Sequence, residues 1–124
     1  MHFHQHQAIY LQIVDHMVEM ILKKEWGNDA RIPAIREMAV AVQVNPNTVM
    51  RAYAYLEDKN IIYKQRGIGY FVVKDADKKI LAFKKTEFIK NVVPAFFKKM
   101  ELAGITLEDL SAQFDQAGEN SEKK

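Results

Sequence analysis

The sequence predicts a mainly α-helical protein with one small β-hairpin, and three observations lead to this fold class. Apolar residues recur at spacings of three and four over residues 8–25, 34–42 and 45–56, which is typical of amphipathic helices. Two β-branched and aromatic runs, residues 61–64 and 70–73, enclose a loop with two glycines and predict an antiparallel hairpin. Further apolar helical stretches follow the hairpin. We therefore expect an N-terminal three-helix domain with a hairpin, followed by a two-helix C-terminal appendage.

The composition excludes several classes of protein. The chain has 124 residues, nearly half of them apolar, and no cysteine, so we expect neither a disulfide framework nor a thiolate metal site. It lacks an apolar run long enough to span a membrane and an apolar core typical of a signal peptide. We expect a soluble, cytoplasmic protein without a cofactor.

The charge distribution is more informative than the net charge of +2. Residues 31–73 carry six lysines and arginines against three acids, and residues 74–99 carry eight lysines against three acids. Residues 100–124 reverse the balance, with two lysines against six acids. A basic middle fits a polyanionic partner, although lysine-rich faces are also ordinary solubilising surface.

The first helix is predicted over residues 8–25, with an apolar stripe that includes Ile13, Met17 and Ile21. Residues 1–7 precede it and have no helical or strand pattern, so we expect a flexible end. The three histidines at positions 2, 4 and 6 would share one face of an extended strand, where they could hold a metal. A polar end without bound metal is the favoured interpretation, and we predict no metal site.

A second and a third helix are separated by a short turn. The second covers residues 34–42, and Gln43-Val44 forms the turn. Asn45 is a preferred N-cap residue for the third helix, and Pro46 suits its first position, where a missing amide costs nothing. Two helices joined in this way form a helix-turn-helix.

The third helix has the composition of a DNA-recognition helix. Its apolar residues at helical spacing can face a core, which leaves Asn47, Thr48, Met50 and Arg51 pointing outward. Short polar donors and an arginine near a helix N-terminus suit the major groove of DNA. We predict that the rest of the chain positions this helix.

The hairpin that follows is predicted to act as a wing. Arg66 lies at its tip, from which an arginine can enter a minor groove. The Gly67-Ile68-Gly69 sequence resembles a phosphate-binding loop only weakly, and no helix follows it closely. We therefore reject a nucleotide-binding interpretation.

The C-terminal region is predicted to form a long helical stretch over residues 75–103, interrupted at Pro94, and a last helix after Gly104. Thr106 is the expected N-cap of that helix. Residues 117–124 are polar and are predicted to be disordered. A two-helix piece cannot bury so many apolar side chains by itself, so we expect a homodimer. The alternative is that these helices pack only on their own N-terminal domain.

Four segments together resemble the GntR family of bacterial regulators. Residues 8–13 resemble the start of the family's first helix, and residues 32–39 resemble its Leu-Pro-Ser-x-Arg-Glu-Leu-Ala segment. Residues 44–53 are similar to its Val-Asn-x-x-Thr-Val-x-x-Ala-Tyr helix, and residues 66–72 to its Arg-Gly-x-Gly-x-Phe-Val wing. The short helical tail resembles the YtrA-like subfamily. The resemblance implies a winged helix-turn-helix over residues 8–73, a dimerisation region over residues 74–117, and flexible ends at residues 1–7 and 118–124.

The resemblance also implies a function and a set of site residues. It implies a sequence-specific transcription factor, usually a repressor, that binds a palindromic operator in double-stranded DNA as a homodimer. Two departures from the family pattern matter: Ala34 replaces the usual serine cap, and Met50 replaces an arginine found in several relatives. The implied DNA-binding residues are Arg36, Asn45, Pro46, Asn47, Thr48, Met50, Arg51, Arg66 and Gly67.

Two rival functions and one open question remain. A winged helix can instead serve as a protein–protein interaction module, which would bind DNA with little dependence on salt. An enzyme is not expected, because four histidines and no cysteine leave no set of nucleophile, base and orienting group. The apolar residues of the long helix could line a pocket for a small-molecule effector, although they more simply form a core.

Overall fold

The computed structural model describes residues 1–122, in which the chain forms two compact units, Met1–Lys84 and a second that begins at Lys85. The predicted fold class is confirmed, since the described residues form helices and one antiparallel hairpin. The elements are α1 (Ile9–Leu22), α2 (Ile35–Val42), α3 (Pro46–Asp58), β1 (Ile62–Gln65), β2 (Gly69–Val72), α4 (Ala76–Asn91), α5 (Val93–Ala103) and α6 (Leu107–Glu122).

The first unit is organised around a continuous apolar core. Helix α1 contributes a stripe at spacings of three and four that includes Ile13, Met17 and Ile21, as its sequence predicted. Helices α2 and α3, the hairpin and the first turns of α4 supply most of the remaining core residues, and Ile32 and Ile61 add to the core from the segments before α2 and β1. Packing on these elements holds α3 rigidly, because its inward face is completely buried.

The hairpin is extended by a short segment that precedes α2. Strands β1 and β2 pair in register from Ile62–Val72 to Gln65–Gly69. The Ile32 N–H donates to the Tyr70 carbonyl at 3.0 Å, and Arg31 forms a bridge with Phe71. The sequence predicted only a brief extended segment here, and it joins the outer side of β2.

The N-terminal segment is held against α1 by one buried polar side chain. Gln12 is 5% exposed, and its Oε1 accepts from the His4 N–H at 3.0 Å. Its Nε2 donates to the carbonyls of His4 and Gln7, each at 2.8 Å. Phe3 also packs on the core. The predicted flexibility of residues 1–7 did not anticipate these contacts.

In the second unit, the predicted interruption of the long helix is confirmed. Helix α4 ends at Asn91 and α5 begins at Val93, because Pro94 has no amide to continue the hydrogen-bond ladder. Gly104 ends α5 in the left-handed region with φ +67°. Residues 117–124 were predicted to be disordered, but helix α6 continues to Glu122. Residues 123–124 lie outside the described part.

Helix α6 begins with the N-cap residue that its sequence predicted, Thr106. Thr106 Oγ1 accepts from the Asp109 N–H at 3.2 Å, and Asp109 Oδ2 accepts from the Thr106 N–H at 3.0 Å. This reciprocal pair satisfies two amides that a helix otherwise leaves without partners.

Candidate nucleic-acid interface

Helix α3 begins with the cap that its sequence predicted. Asn45 precedes the helix, and its Oδ1 accepts from the Asn47 N–H at 2.8 Å. Pro46 occupies the first turn, where its fixed φ suits a helix and its missing N–H removes no hydrogen bond. Asn45, Pro46 and Asn47 are all exposed. The first turn is therefore well formed and open to solvent.

The two faces of α3 differ completely in exposure. Val49, Ala52, Tyr53 and Leu56 are each 0% exposed and form the inward face. Met50 is 50% exposed on the outer side. A methionine that is half exposed on an otherwise polar surface presents an apolar, adaptable group to whatever α3 meets.

Arg51 lies at the side of α3 that faces α1, and Thr48 precedes it by three residues, so the two share one side of the helix. Thr48 is half-buried, whereas Arg51 is exposed. The Arg51 guanidinium carbon lies over the ring of Tyr10 in α1, 4.1 Å from the ring centroid. Adjacent helical positions point about 100° apart, so the side chains of Arg51 and Met50 lie on different sides of α3. This contact with Tyr10 carries no signal in a single sequence, because residues 10 and 51 are far apart along the chain.

Arg36 projects from the first turn of α2 and is exposed. Ala34 occupies the N-cap position and has no side-chain acceptor, so only half of the usual reciprocal cap is present: the Glu37 carboxylate accepts from the Ala34 N–H at 3.3 Å. An open groove of about 540 Å³ separates Arg36 from Pro46. The groove is lined by Arg36, Ala39, Val40, Gln43, Val44 and Pro46. The helix-turn-helix thus brings Arg36 and the start of α3 to one surface.

The wing tip is a tight turn between paired strands. The Ile68 N–H donates to the Gln65 carbonyl at 2.9 Å, which closes the turn around Arg66 and Gly67. Gly67 has φ +78°, a conformation that a residue with a Cβ adopts only at a cost. A Cβ at this position would meet no atom within 4 Å. Glycine is therefore required by the backbone turn, and the space beside it is open for a ligand backbone.

One tyrosine joins α3 to the wing. The Tyr53 hydroxyl donates to the Pro33 carbonyl, and its ring meets the Tyr70 ring of β2 edge to face, with centroids 4.9 Å apart. Burial, with smaller contributions from Tyr70 and Glu37, raises the pKa of Tyr53 well above its usual value. The hydroxyl is therefore protonated throughout the physiological range and remains a donor.

Arg31 is a basic residue at this surface that sequence reasoning missed. Its Nε lies 3.1 Å from the position that a Cβ on Gly69 would occupy. Because Gly69 has no side chain, the Arg31 guanidinium can lie directly against the wing. Gly69 also has φ +149°, a conformation that residues with a side chain rarely adopt. A lone arginine before an apolar pair gives no pattern that would reveal this contact.

We also searched the described residues for a metal-ion site and for a membrane-spanning helix. Within residues 1–122, no three His, Asp or Glu side chains are grouped so that they could hold a metal ion. The His4 and His6 rings are 6.0 Å apart. Of the helices that the structure describes, none is sufficiently long and apolar to cross a membrane.

Comparison with known proteins identifies the family. Residues 9–72, more than half of the chain, match the family described as "Bacterial regulatory proteins, gntR family". The chain belongs to the GntR family. The match covers α1, the helix-turn-helix and the wing, which are the elements that carry the candidate interface.

Individual relatives extend the likeness beyond the winged helix. The chain is 34% identical to the Bacillus subtilis regulator YhcF over 108 residues, which cover 87% of this chain and 88% of YhcF. It is 35% identical to the B. subtilis repressor YtrA over 102 residues, which cover 82% of this chain and 78% of YtrA. The predicted YtrA-like resemblance is confirmed.

A solved structure agrees with both units. A GntR-family transcriptional regulator from Bacteroides thetaiotaomicron aligns with a TM-score of 0.83 and 38% identity, covering 92% of this chain and 99% of that chain. This member of the GntR family is therefore a DNA-binding transcriptional regulator and not an enzyme.

Proposed function

We propose that this GntR-family chain is a homodimeric repressor that binds a palindromic operator, with α3 in the major groove and the wing in the minor groove. The observation that carries the proposal is the division of α3 into a fully buried face and an exposed, capped N-terminal turn. A helix held in this way can present its first residues to base edges without losing its support.

The outward-facing residues at the start of α3 have different chemical roles in this proposal. Asn47 and Thr48 reach base edges or adjacent phosphates, and Met50 supplies an apolar contact such as one with a thymine methyl. The N-terminal end of α3 carries the positive end of the helix dipole, which favours a nearby phosphate. Arg36 approaches the DNA from α2, on the same surface as Pro46.

The wing supplies a second point of contact. Arg66 is exposed at the tip and enters the minor groove, where the negative potential attracts arginine. Gly67 leaves the space that a DNA backbone needs for close approach. Tyr53 and Tyr70 connect this hairpin to α3, which supports simultaneous contact of both elements with one duplex.

The second unit supports the dimer. Phe88, Ile89, Phe96 and Phe97 are each between 46% and 57% exposed, and a second copy of the chain would cover them. We assign residues 8–73 to DNA binding and residues 74–117 to dimerisation. Two-fold symmetry would place the two α3 helices about 34 Å apart, one turn of DNA, which matches a palindrome.

Repression is proposed because the similar B. subtilis protein YtrA is named a repressor. A regulator that occupies an operator acts where the chromosome is, so we place the protein in the cytoplasm. A small-molecule effector stays a prediction without an assigned site.

Selection of duplexes from a random pool by the purified full chain tests the proposal directly. We expect enrichment of an inverted repeat whose half-sites are about ten base pairs apart. Binding of the selected duplex should weaken steeply with salt, because phosphate contacts release counterions. Asn47→Ala should relax the preference at one position of each half-site, whereas Arg36→Ala should weaken binding and lower the salt slope.

Lys23→Ala is the matched control for charge, because Lys23 is exposed near the C-terminal end of α1 and pairs with Glu19. It should bind as the unmodified chain does. Enrichment of no repeat, together with binding that does not depend on salt, would favour a protein–protein interaction module instead. Protection of a single half-site by a monomer would contradict the dimer.

A further inference from the structure

Two tyrosines in contact, each with a cation over its ring, lie along the edge where α3 meets α1. The Arg51 guanidinium carbon lies 4.1 Å from the Tyr10 ring centroid, and the Lys59 Nζ lies 5.6 Å from the Tyr55 ring centroid. The two rings meet edge to face, with their centroids 6.4 Å apart. The core of the first unit does not require the cations, because both are exposed.

We propose that Tyr10 is a positioning residue that holds the Arg51 guanidinium at the edge of α3 for contact with a DNA phosphate. The inference rests on the proposed DNA-binding function and adds to it a backbone contact organised by α1. It assigns Arg51 to the phosphate backbone and Tyr10 to the orientation of Arg51.

The chemistry of the arginine favours a contact beyond Tyr10. A guanidinium that packs on an aromatic ring keeps its five N–H donors in its own plane, where they can meet a phosphate oxygen. Within residues 1–122, the Arg51 side chain makes neither a hydrogen bond nor a salt bridge. The Tyr10 ring thus holds the Arg51 guanidinium in place and leaves the N–H donors of Arg51 available.

The position of Tyr10 explains how it can hold Arg51 in place. Tyr10 is half-buried in the first turn of α1, and Tyr55 packs against its ring. Gln12, two residues further along α1, anchors the segment before the helix. An exposed arginine samples many rotamers at a cost in binding entropy, so a preformed stack lowers that cost.

Phosphate is the expected partner because of where Arg51 lies on α3. Met50 occupies the outer face, and Arg51 is turned about 100° from it, towards α1. A cation at the flank of a recognition helix lies beside the groove wall, where phosphates are, and not over the base edges. Its loss should therefore weaken binding on all sequences alike.

The test is the salt dependence of binding to a short duplex of mixed sequence, measured by fluorescence anisotropy with the full chain. Arg51→Ala should lower the slope of log K against log salt by about 0.9 for each protomer bound, and weaken binding on the order of tenfold. Tyr10→Phe keeps the ring and should match the unmodified chain. Tyr10→Leu should weaken binding in the same direction as Arg51→Ala, and adding it to Arg51→Ala should have no further effect on the slope.

Lys59→Ala is the matched control, because Lys59 also lies over a tyrosine but two helical turns further from the N-terminus of α3. It should leave the slope unchanged. If Tyr10→Leu does not fold by circular dichroism, Tyr10→Gln provides the same loss of the ring.

The inference is overturned if the unmodified chain binds with a steep salt slope but Arg51→Ala and Tyr10→Leu retain that slope, even where their melting temperatures fall. That result would make the stack a purely structural link between α1 and α3. Salt-independent binding by the unmodified chain itself would overturn the proposed function as well, so the two failures are distinguishable.

Discussion

The two compact units differ in how they bury their apolar side chains. Within residues 1–122, eighteen of the nineteen buried hydrophobic residues lie in the first unit, and Met100 is the single one in the second. The second unit instead exposes large apolar residues along its helices. These are Phe88, Ile89, Val92, Phe96, Phe97, Leu102, Ile105, Leu107 and Phe114.

This difference separates two sources of stability. The first unit has a complete core, so its free energy of unfolding should not depend on protein concentration. Helices that expose this much apolar surface gain their stability from whatever covers them, and a second copy makes that gain concentration-dependent. The first unit is thus expected to fold alone, whereas the proposed role of the second unit is to provide the surface between two copies of the chain.

A charge placed on the exposed apolar face should have the largest effect. Phe97 is 53% exposed, and in a symmetric dimer Phe97→Asp would bury two unpaired carboxylates. We expect the dimer to weaken by at least about 3 kcal/mol, or more than a hundredfold. Sedimentation velocity should show a monomer. The circular dichroism spectrum should keep the helical signal of the first unit.

Val40→Asp is the control for this experiment. Val40 is 80% exposed on α2, more than Phe97, but it belongs to the unit that already has its core. The Val40 variant should remain a dimer. Equal loss of dimer in both variants would show that apolar exposure does not distinguish the two units.

Truncation of a core side chain of α3 should come next in size. Leu56 is 0% exposed, so Leu56→Ala leaves a cavity and should cost about 2–5 kcal/mol in the free energy of unfolding. Urea denaturation at two protein concentrations is the measurement. The loss should be the same at both concentrations, because this core is formed within one chain.

Leu22→Ala provides the comparison, since Leu22 lies at the end of α1 and is 39% exposed. Leu22→Ala should lower the free energy of unfolding by clearly less than Leu56→Ala does. A concentration-dependent loss for Leu56→Ala would mean that the first unit also depends on the dimer.

The link between α3 and the wing should have an intermediate effect. Tyr53→Phe keeps the ring that meets Tyr70 but leaves the Pro33 carbonyl without its donor, at a cost of about 1–2 kcal/mol. Tyr63→Phe is the control, because its hydroxyl reaches Asp29 at 3.3 Å in an exposed setting. A Tyr53→Phe variant as stable as the unmodified chain would make the ring contact alone responsible for joining the two elements.

The local elements of both units were predictable from the sequence because their signals are local. Asn45 and Pro46 predicted the start of α3, Pro94 predicted the interruption before α5, and Gly104 and Thr106 predicted the turn into α6. Each of these residues acts on backbone atoms within one or two turns, so neighbouring sequence suffices to interpret it.

The contacts that organise the candidate site were not predictable, because they join distant residues. Arg51 meets Tyr10, Arg31 meets Gly69, and Gln12 holds the N-terminal segment, and none of these pairs forms a periodic pattern. Their discovery required the packing of α1 and the hairpin against α3. The sequence predicted the exposure of Asn47, Met50 and Arg51, whereas Thr48 is half-buried. It did not distinguish the outer face of Met50 from the flank of Arg51.

The smallest expected effect concerns the cap of α6, which stabilises the second unit locally and without a partner. The Thr106 N–H and then its hydroxyl hold the pKa of Asp109 below its usual value. A carboxylate whose folded pKa lies below its unfolded value of about 3.9 contributes stability above that value, and loses it as pH falls through the folded pKa. Asp109→Asn should therefore lower the melting temperature near neutral pH, and the difference should vanish in acid. Asp115→Asn, which removes a carboxylate from the middle of the same helix and leaves the cap intact, is the control and should melt as the unmodified chain does near neutral pH. A difference for Asp109→Asn that persists in acid would show that the cap acts through the side-chain shape and not through its charge.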